Sequence, residues 1–330
     1  MTKENIKFAP VPISKISCGI VLPADIYLFI SGKYIKFKER GDQISVEKYH
    51  FFLAKNLKQV YIAFSELTLF MEWVKRIRLM SIDESVAEIG EKHRYIAEQR
   101  EDIKEKLYET LADKEISSES VAQLRSSVGA FISDIQQLEA PKQILLALIK
   151  HNSSIAEHSA NVANIAIFMA LVLGVGRKSQ LEHIYTGSLL HDYGKAKIPE
   201  NILANQNDAK YLREMQQHPV KGAEMLKKAE NIPAQVIRIV KEHHEQFNGQ
   251  GYPDGLNGKQ VYELSKIVAM ANVYDEELQK YKNSGSNAYV KVAKFISLDH
   301  GKRFSSAQAK AVAEAILFYY DAKELPLSNI

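Results

Sequence analysis

Between about residues 12 and 75 the apolar positions alternate with polar ones. "DIYLFISGKYIKFKERGDQIS" reads as two strands around a Ser31-Gly32 turn, "QVYIAF" at 59 to 64 as another, and "SVEKYHFFLAKNL" between them has helical spacing. A small α+β module is expected there. From about 71 to 138 the pattern becomes helical and charged. "SIDE" at 81 to 84 has the serine-to-glutamate spacing of a capping box. "AEIGEKHRYIAEQREDIKEKLYETLA" carries apolar residues at mixed spacings of three and four, with opposite charges interleaved. That favours a solvated helical connector over a dimerising coiled coil, for which too few clean heptads are present.

From about 140 onward nearly everything reads as helix. "SSIAEHSANVANIAIFMALVLG" ends at Gly174, and "SQLEHIYTGSLLHDYG" opens on a second capping-box spacing at Ser179 and Glu182. Further helices are expected at about 208–228, 233–246, 261–281, 286–298 and 306–321. Pro199, Pro219, Pro233 and Pro253 are expected at breaks or first turns, where proline is tolerated. The fold class is therefore mainly α: a small N-terminal α+β domain (1–75), a charged helical connector (76–139) and a C-terminal all-helical bundle (140–325).

Composition changes this picture little. The 330 residues are 46% hydrophobic and 25% charged, with a net charge of +3, which is too mild to argue for DNA. The single Cys18 excludes an internal disulfide and fits a reducing compartment. No signal-like segment opens the chain, and "IAIFMALVLGVG" at 165 to 176 is too short for a membrane span. A cytoplasmic protein acting away from membranes is expected.

The chemistry gathers in the helical part. His191-Asp192 closes the apolar run "IYTGSLL", and adjacent residues on a helix point about 100° apart, so both reach one cluster beside it. Imidazole nitrogen suits iron, manganese and zinc, and a carboxylate can bridge two ions. "HHEQFNGQGYPDGLNG" at 243 to 258 joins a histidine pair to a glycine-rich turn.

"HDYGKAKIPENIL", "HPVKGAEML" and "HHEQFNGQGYPDGLNG", in that order, resemble the HD-GYP family of metal-dependent phosphohydrolases. The resemblance covers about 140 to 322 and implies an all-helical HD-GYP bundle that hydrolyses the bacterial second messenger cyclic di-GMP to pGpG, and further to GMP in some cases. It implies two divalent ions, iron foremost with manganese and zinc as alternatives. His158 and His191 would hold the first ion, His218, His243 and His244 the second, and Asp192 would bridge them. Lys195 would meet a substrate phosphate as a point charge. Gly251, Tyr252 and Pro253, with Gly249, would shape the substrate pocket, Tyr252 being open to either ligand contact or loop packing.

The sequence departs from the family pattern at several positions. The metal-ligand aspartate expected in "KIVAMANVYDEEL" falls on Asn272, with Asp275 three residues on. Ser154 stands where some members place a glutamate that supports a third ion. "LQKYKNSGSN" replaces an Arg-Pro-Tyr, leaving Lys280 or Lys282 as substitute phosphate contacts near Tyr281. Lys266 and Asn248 replace an arginine and an aspartate. These changes imply attenuated turnover or, as the alternative, a degenerate module that binds cyclic di-GMP or a signalling protein partner. A homodimer is compatible with either. A hydrolase for another phosphate ester is the third reading, and it leaves the histidine–Gly-Tyr-Pro loop unexplained.

Overall fold

The computed structural model describes residues 6–113, 115–150, 154–195, 198, 202, 207–281 and 287–324. Four antiparallel strands, β1 (Phe8–Pro12), β2 (Ile26–Ile30), β3 (Lys33–Lys38) and β4 (Gln59–Ala63), form one sheet in the order β1-β4-β2-β3. The expected hairpin is present: Ser31 and Gly32 both adopt positive φ (50° and 79°), the backbone that joins twisted strands across a two-residue turn. Helix α1 (Val46–Ala54) crosses between β3 and β4 and begins at Ser45, whose hydroxyl accepts from the Lys48 N–H.

Three long helices follow: α2 (Leu67–Ile89), α3 (Arg94–Ala112) and α4 (Ser118–Gln137). Helix α2 runs unbroken through residue 75. The "SIDE" capping box is absent, because Ser81 lies inside α2 and its hydroxyl donates to Glu101 on α3. Helices α3 and α4 are amphipathic, with one apolar stripe each, and pack on each other and on the bundle rather than standing as a solvated rod.

The bundle contains α5 (Pro141–Ala147), α6 (Ile155–Val172), α7 (Lys178–Leu190), α8 (Ala209–Lys227), α9 (Ala234–Glu242), α10 (Glu263–Lys280), α11 (Asn287–Ser297) and α12 (Ser306–Glu324). At its centre, α6 is buried almost all round and packs against α7 and α10. By length and composition α6 is apolar enough to cross a membrane, but 78% of that window is buried inside the protein, as in a core helix. Helix α7 starts at Lys178 with no side-chain cap, so the Ser179–Glu182 capping box does not form either.

Pro219 differs from expectation more usefully. It sits in the interior of α8 rather than at a break. A proline there has no N–H for the carbonyl four residues earlier, which is that of Met215. That carbonyl instead accepts from the ring of His218, at 2.6 Å. The sequence pair His-Pro thus leaves a backbone acceptor open and fills it with a side chain.

Candidate metal centre

Four of the five histidines sit where a helix ends or is interrupted. His191 follows α7, His243 and His244 follow α9, and His218 precedes Pro219. The last carbonyls of a helix lack intrahelical partners, and the rings use them. His191 Nδ1 lies 2.6 Å from the Ser188 carbonyl, and His243 Nδ1 lies 2.7 Å from that of Val240. With His218 to Met215, three imidazoles repeat the same contact to the carbonyl three residues back.

His158 is the exception. It lies in the first turn of α6, after the Ser154 cap, where backbone acceptors are already engaged. Its Nδ1 is 2.7 Å from Oδ2 of Asp275, and the Asp275 Oδ1 in turn accepts from Asn161 Nδ2 at 3.1 Å.

These partners decide the protonation pattern. A carbonyl or a carboxylate can only accept, so each Nδ1 carries the proton and each Nε2 presents a lone pair. The lone pairs converge. His158 and His191 Nε2 are 3.3 Å apart, and those of His218 and His243 are 3.1 Å apart. Two acceptors at such distances repel unless a cation stands between them.

Asp192 lies among them, with Oδ2 3.4 Å from His191 and 3.8 Å from His158, and Oδ1 3.2 Å from His218 and 3.8 Å from His243. Its ligating atoms fall into two groups that could each hold an ion, His158–His191–Asp192 and Asp192–His218–His243–His244. Asp192 Oδ1 and His244 Nε2 are buried without a hydrogen-bond partner, as are the amide oxygen of Asn272 and the hydroxyl of Ser188. Neutral imidazoles, a shared carboxylate and orphaned buried acceptors fit divalent cations.

The electrostatics of His218, His243 and His244 agree with this reading. Burial is the largest influence on His218, His243 and His244 and lowers all three, the last two well below the ordinary histidine value. They are neutral, ligand-ready bases at physiological pH. For His158, burial also lowers the pKa, but the Asp275 carboxylate outweighs it and the net shift is upward. Burial would raise Asp192, yet His191 and Lys195 hold its carboxyl well below its usual range. Lys195, 2.9 Å from Asp192 Oδ2, keeps its charge because that carboxylate outweighs burial.

The Gly-Tyr-Pro loop is a support built against the histidine pair. Tyr252 stacks on His244 with ring centroids 4.6 Å apart and planes 23° from parallel, and its N–H donates to the His244 carbonyl. A side chain at Gly251 would meet the Gln246 nitrogen at 2.4 Å and the His244 oxygen at 2.5 Å, so only glycine lets the loop lie this close. The Tyr252–Pro253 peptide is cis. Glu245, the acid of the "HHE" run, accepts from the Asp254 and Leu256 N–H groups and closes the loop.

Gly194 performs the matching service after Asp192, since a Cβ there would meet the His218 carbonyl at 2.1 Å. No motif or spacing in the sequence points to Asn161. The Met215–Pro219 arrangement was readable in principle from His followed by Pro.

Asn272 is fully buried on α10 and its amide donates to Glu276 at 3.0 Å. Asp275 is fully buried too, with one oxygen on His158 and the other on Asn161. Lys280 is exposed and paired with Glu277 at 2.6 Å, and Lys282 lies outside the described residues.

Comparison with known proteins follows the same lines. Residues 143–291 match the HD domain family. The chain is 29% identical over 167 residues to the cyclic di-GMP phosphodiesterase response regulator RpfG of Xanthomonas campestris, covering 48% of this chain and 44% of that protein. It is 34% identical over 125 residues to the 3'3'-cGAMP-specific phosphodiesterase 2 of Vibrio cholerae, covering 36% of this chain and 24% of that one. It therefore spans less than half the length of either relative. The solved structure of Bd1817, an HDG"Y"P protein from Bdellovibrio bacteriovorus, superposes with a TM-score of 0.63 at 20% identity, over 94% of this chain and all of that one.

The segment 143–291 is an HD domain. Its histidine–Gly-Tyr-Pro loop is the feature in which this segment resembles the HD-GYP family.

Proposed function

We propose that the protein hydrolyses cyclic di-GMP to the linear dinucleotide pGpG at a two-ion centre held by His158, His191, Asp192, His218, His243 and His244. The observation that carries this reading is the convergence of imidazole lone pairs around Asp192, with the Nδ1 of His158, His191, His218 and His243 each held by a pure acceptor. Two divalent ions, iron by preference, would supply there the positive charge and water acidification that bring an anionic nucleophile and a phosphodiester together.

The chain's own residues do the rest. The helix-end carbonyls and Asp275 keep the rings aimed, so little reorganisation is needed when the site is loaded. Lys195 places a mobile cation beside Asp192, suited to a phosphate oxygen. Tyr252 holds His244 by its ring face, and Gly251 and Pro253 fix the loop that carries it.

A second reading, a module that binds the nucleotide without turnover, is favoured by one observation: Asn272 brings no charge to the first ion and Asp275 is engaged elsewhere. The experiment is turnover of cyclic di-GMP, with 3'3'-cGAMP in parallel, by protein prepared anaerobically with iron or manganese. Appearance of pGpG supports the proposal, calorimetric binding without product supports the second reading, and absence of both refutes the two together.

A further inference from the structure

A cavity of about 480 Å³ opens where the N-terminal segment, α2, α3 and the start of α6 meet. None of the metal-centre residues lines it. Its size falls in the range of about 300–1,000 Å³ typical of small-molecule sites.

The lining has two characters. Ile16, Val74, Ile77 and Ile149 make an apolar wall. Around them stand four cations, Lys15, Arg78, Lys104 and Lys150, and five carboxylates, Glu84, Glu88, Glu101, Glu105 and Glu157. Arg100, fully buried behind the wall and paired with Glu157 and Glu101, evens the charge. The hydroxyl of Ser14, also on the lining, is buried without a hydrogen-bond partner.

A ligand with a net charge would upset these balanced pairs at a cost in Coulomb energy and desolvation. An apolar ligand would strip water from them without compensation. A zwitterion can set its ammonium among the glutamates and its carboxylate among the lysines, with an aliphatic body on the isoleucine wall.

The cavity is also wired to the histidines. Glu157, on its wall, accepts from Arg100 and from Lys104 (2.7 Å to Lys104), and it precedes His158. Arg100 donates to Asn161 Oδ1 at 3.1 Å, and the Lys150 N–H reaches the same oxygen at 3.1 Å. Asn161 donates to Asp275, which accepts from His158 Nδ1. Arg100, Asn161 and Asp275 are all fully buried, so displacement of one must be accommodated by its neighbours.

We propose that this cavity is a regulatory site for a small zwitterion with an aliphatic body, on the scale of an apolar dipeptide, and that its occupancy is transmitted through Arg100, Asn161 and Asp275 to His158. The binding stands without the metal reading, and the transmission rests on it. Since coupling is reciprocal, ligand and first ion would alter each other's affinity by the same factor.

The test is calorimetry on the full chain with leucyl-leucine as probe, against N-acetyl-leucyl-leucine and leucyl-leucine amide, each of which lacks one charge. Saturable one-to-one binding is expected, at least about tenfold weaker for either control, the equivalent of about 1.4 kcal/mol. Ile77→Trp, which fills the cavity, should remove it, and Ala147→Leu provides a second filled variant should the first fail to fold. No saturable binding of leucyl-leucine, equal binding of the controls, or unchanged binding in the folded filled variants overturns the site.

The transmission is read as a change in Mn(II) affinity when leucyl-leucine saturates the protein. Asn161→Ala should abolish that change while still binding the peptide. An unaltered change in Asn161→Ala overturns the route. If no variant binds Mn(II) at all, the metal reading fails while the calorimetric result stands on its own.

Discussion

The two halves of the histidine cluster are built differently. Around Asp192, His218 and His243 are aimed by backbone carbonyls freed at a helix end or before a proline, and His244 is held by the face of Tyr252. In the other half His191 uses the Ser188 carbonyl in the same way, but His158 lacks that supply. His158 stands at a helix start and borrows Asp275, and the neutral Asn272, buried three residues earlier on α10, stands where the family resemblance expects an aspartate. Backbone carbonyls are inherent in a helix terminus, whereas Asp275 is a single side chain with one oxygen on His158 and the other on Asn161. The account therefore expects a tight second ion and a weak first one.

The sharpest break of that comparison is Asp192→Ala, which removes the one side chain common to both groups. Metal content measured by mass spectrometry should fall for both ions, and turnover should drop by more than the roughly 10–100-fold typical of losing an outer partner. Next in size, Asn272→Asp should strengthen the first ion by one to two orders of magnitude, the worth of roughly 1.5–3 kcal/mol for an interaction with a charged group. Asp275→Asn should act oppositely, loosening the first ion by roughly 10–100-fold in a metal titration and leaving the second unchanged.

Tyr252→Ala touches only the other half. It removes a ring contact worth about 0.5–1.5 kcal/mol, so second-ion affinity should fall several-fold, and Tyr252→Phe should restore it.

The smallest effect concerns Glu157, the residue before His158. Burial would raise its pKa, but Arg100 and Lys104 outweigh that and hold the carboxyl far below the usual value of 4.5. A group depressed in the folded state contributes stability above its unfolded pKa and loses it as pH falls. That contribution should decline by about 0.4 kcal/mol by pH 4.5 and then by about 1.4 kcal/mol per pH unit below it. Thermal melts of the wild type and Glu157→Gln across pH 7 to 4 check it, the variant lacking this part of the slope.

Much of this was legible in the chain because helix-forming periodicity and the histidine motifs are local. The bundle helices, the Ser31-Gly32 hairpin and the grouping of five histidines about Asp192 all follow from short-range pattern. Where reading failed, a long-range contact decided. Ser81 looks like a cap but is claimed by Glu101 on another helix, and Pro219 looks like a breaker but is tolerated because His218 satisfies the carbonyl it abandons. The partnership of Asp275 with His158 spans 117 residues, and no spacing rule announces it.

The most direct measurement is a metal count on anaerobically prepared protein, repeated after dialysis. The account predicts two ions per chain that leave in sequence, one lost readily, and a His243→Ala variant that loses the retained one. A chain without stoichiometric metal, or metal whose amount is indifferent to Asp192→Ala and His243→Ala, would contradict it.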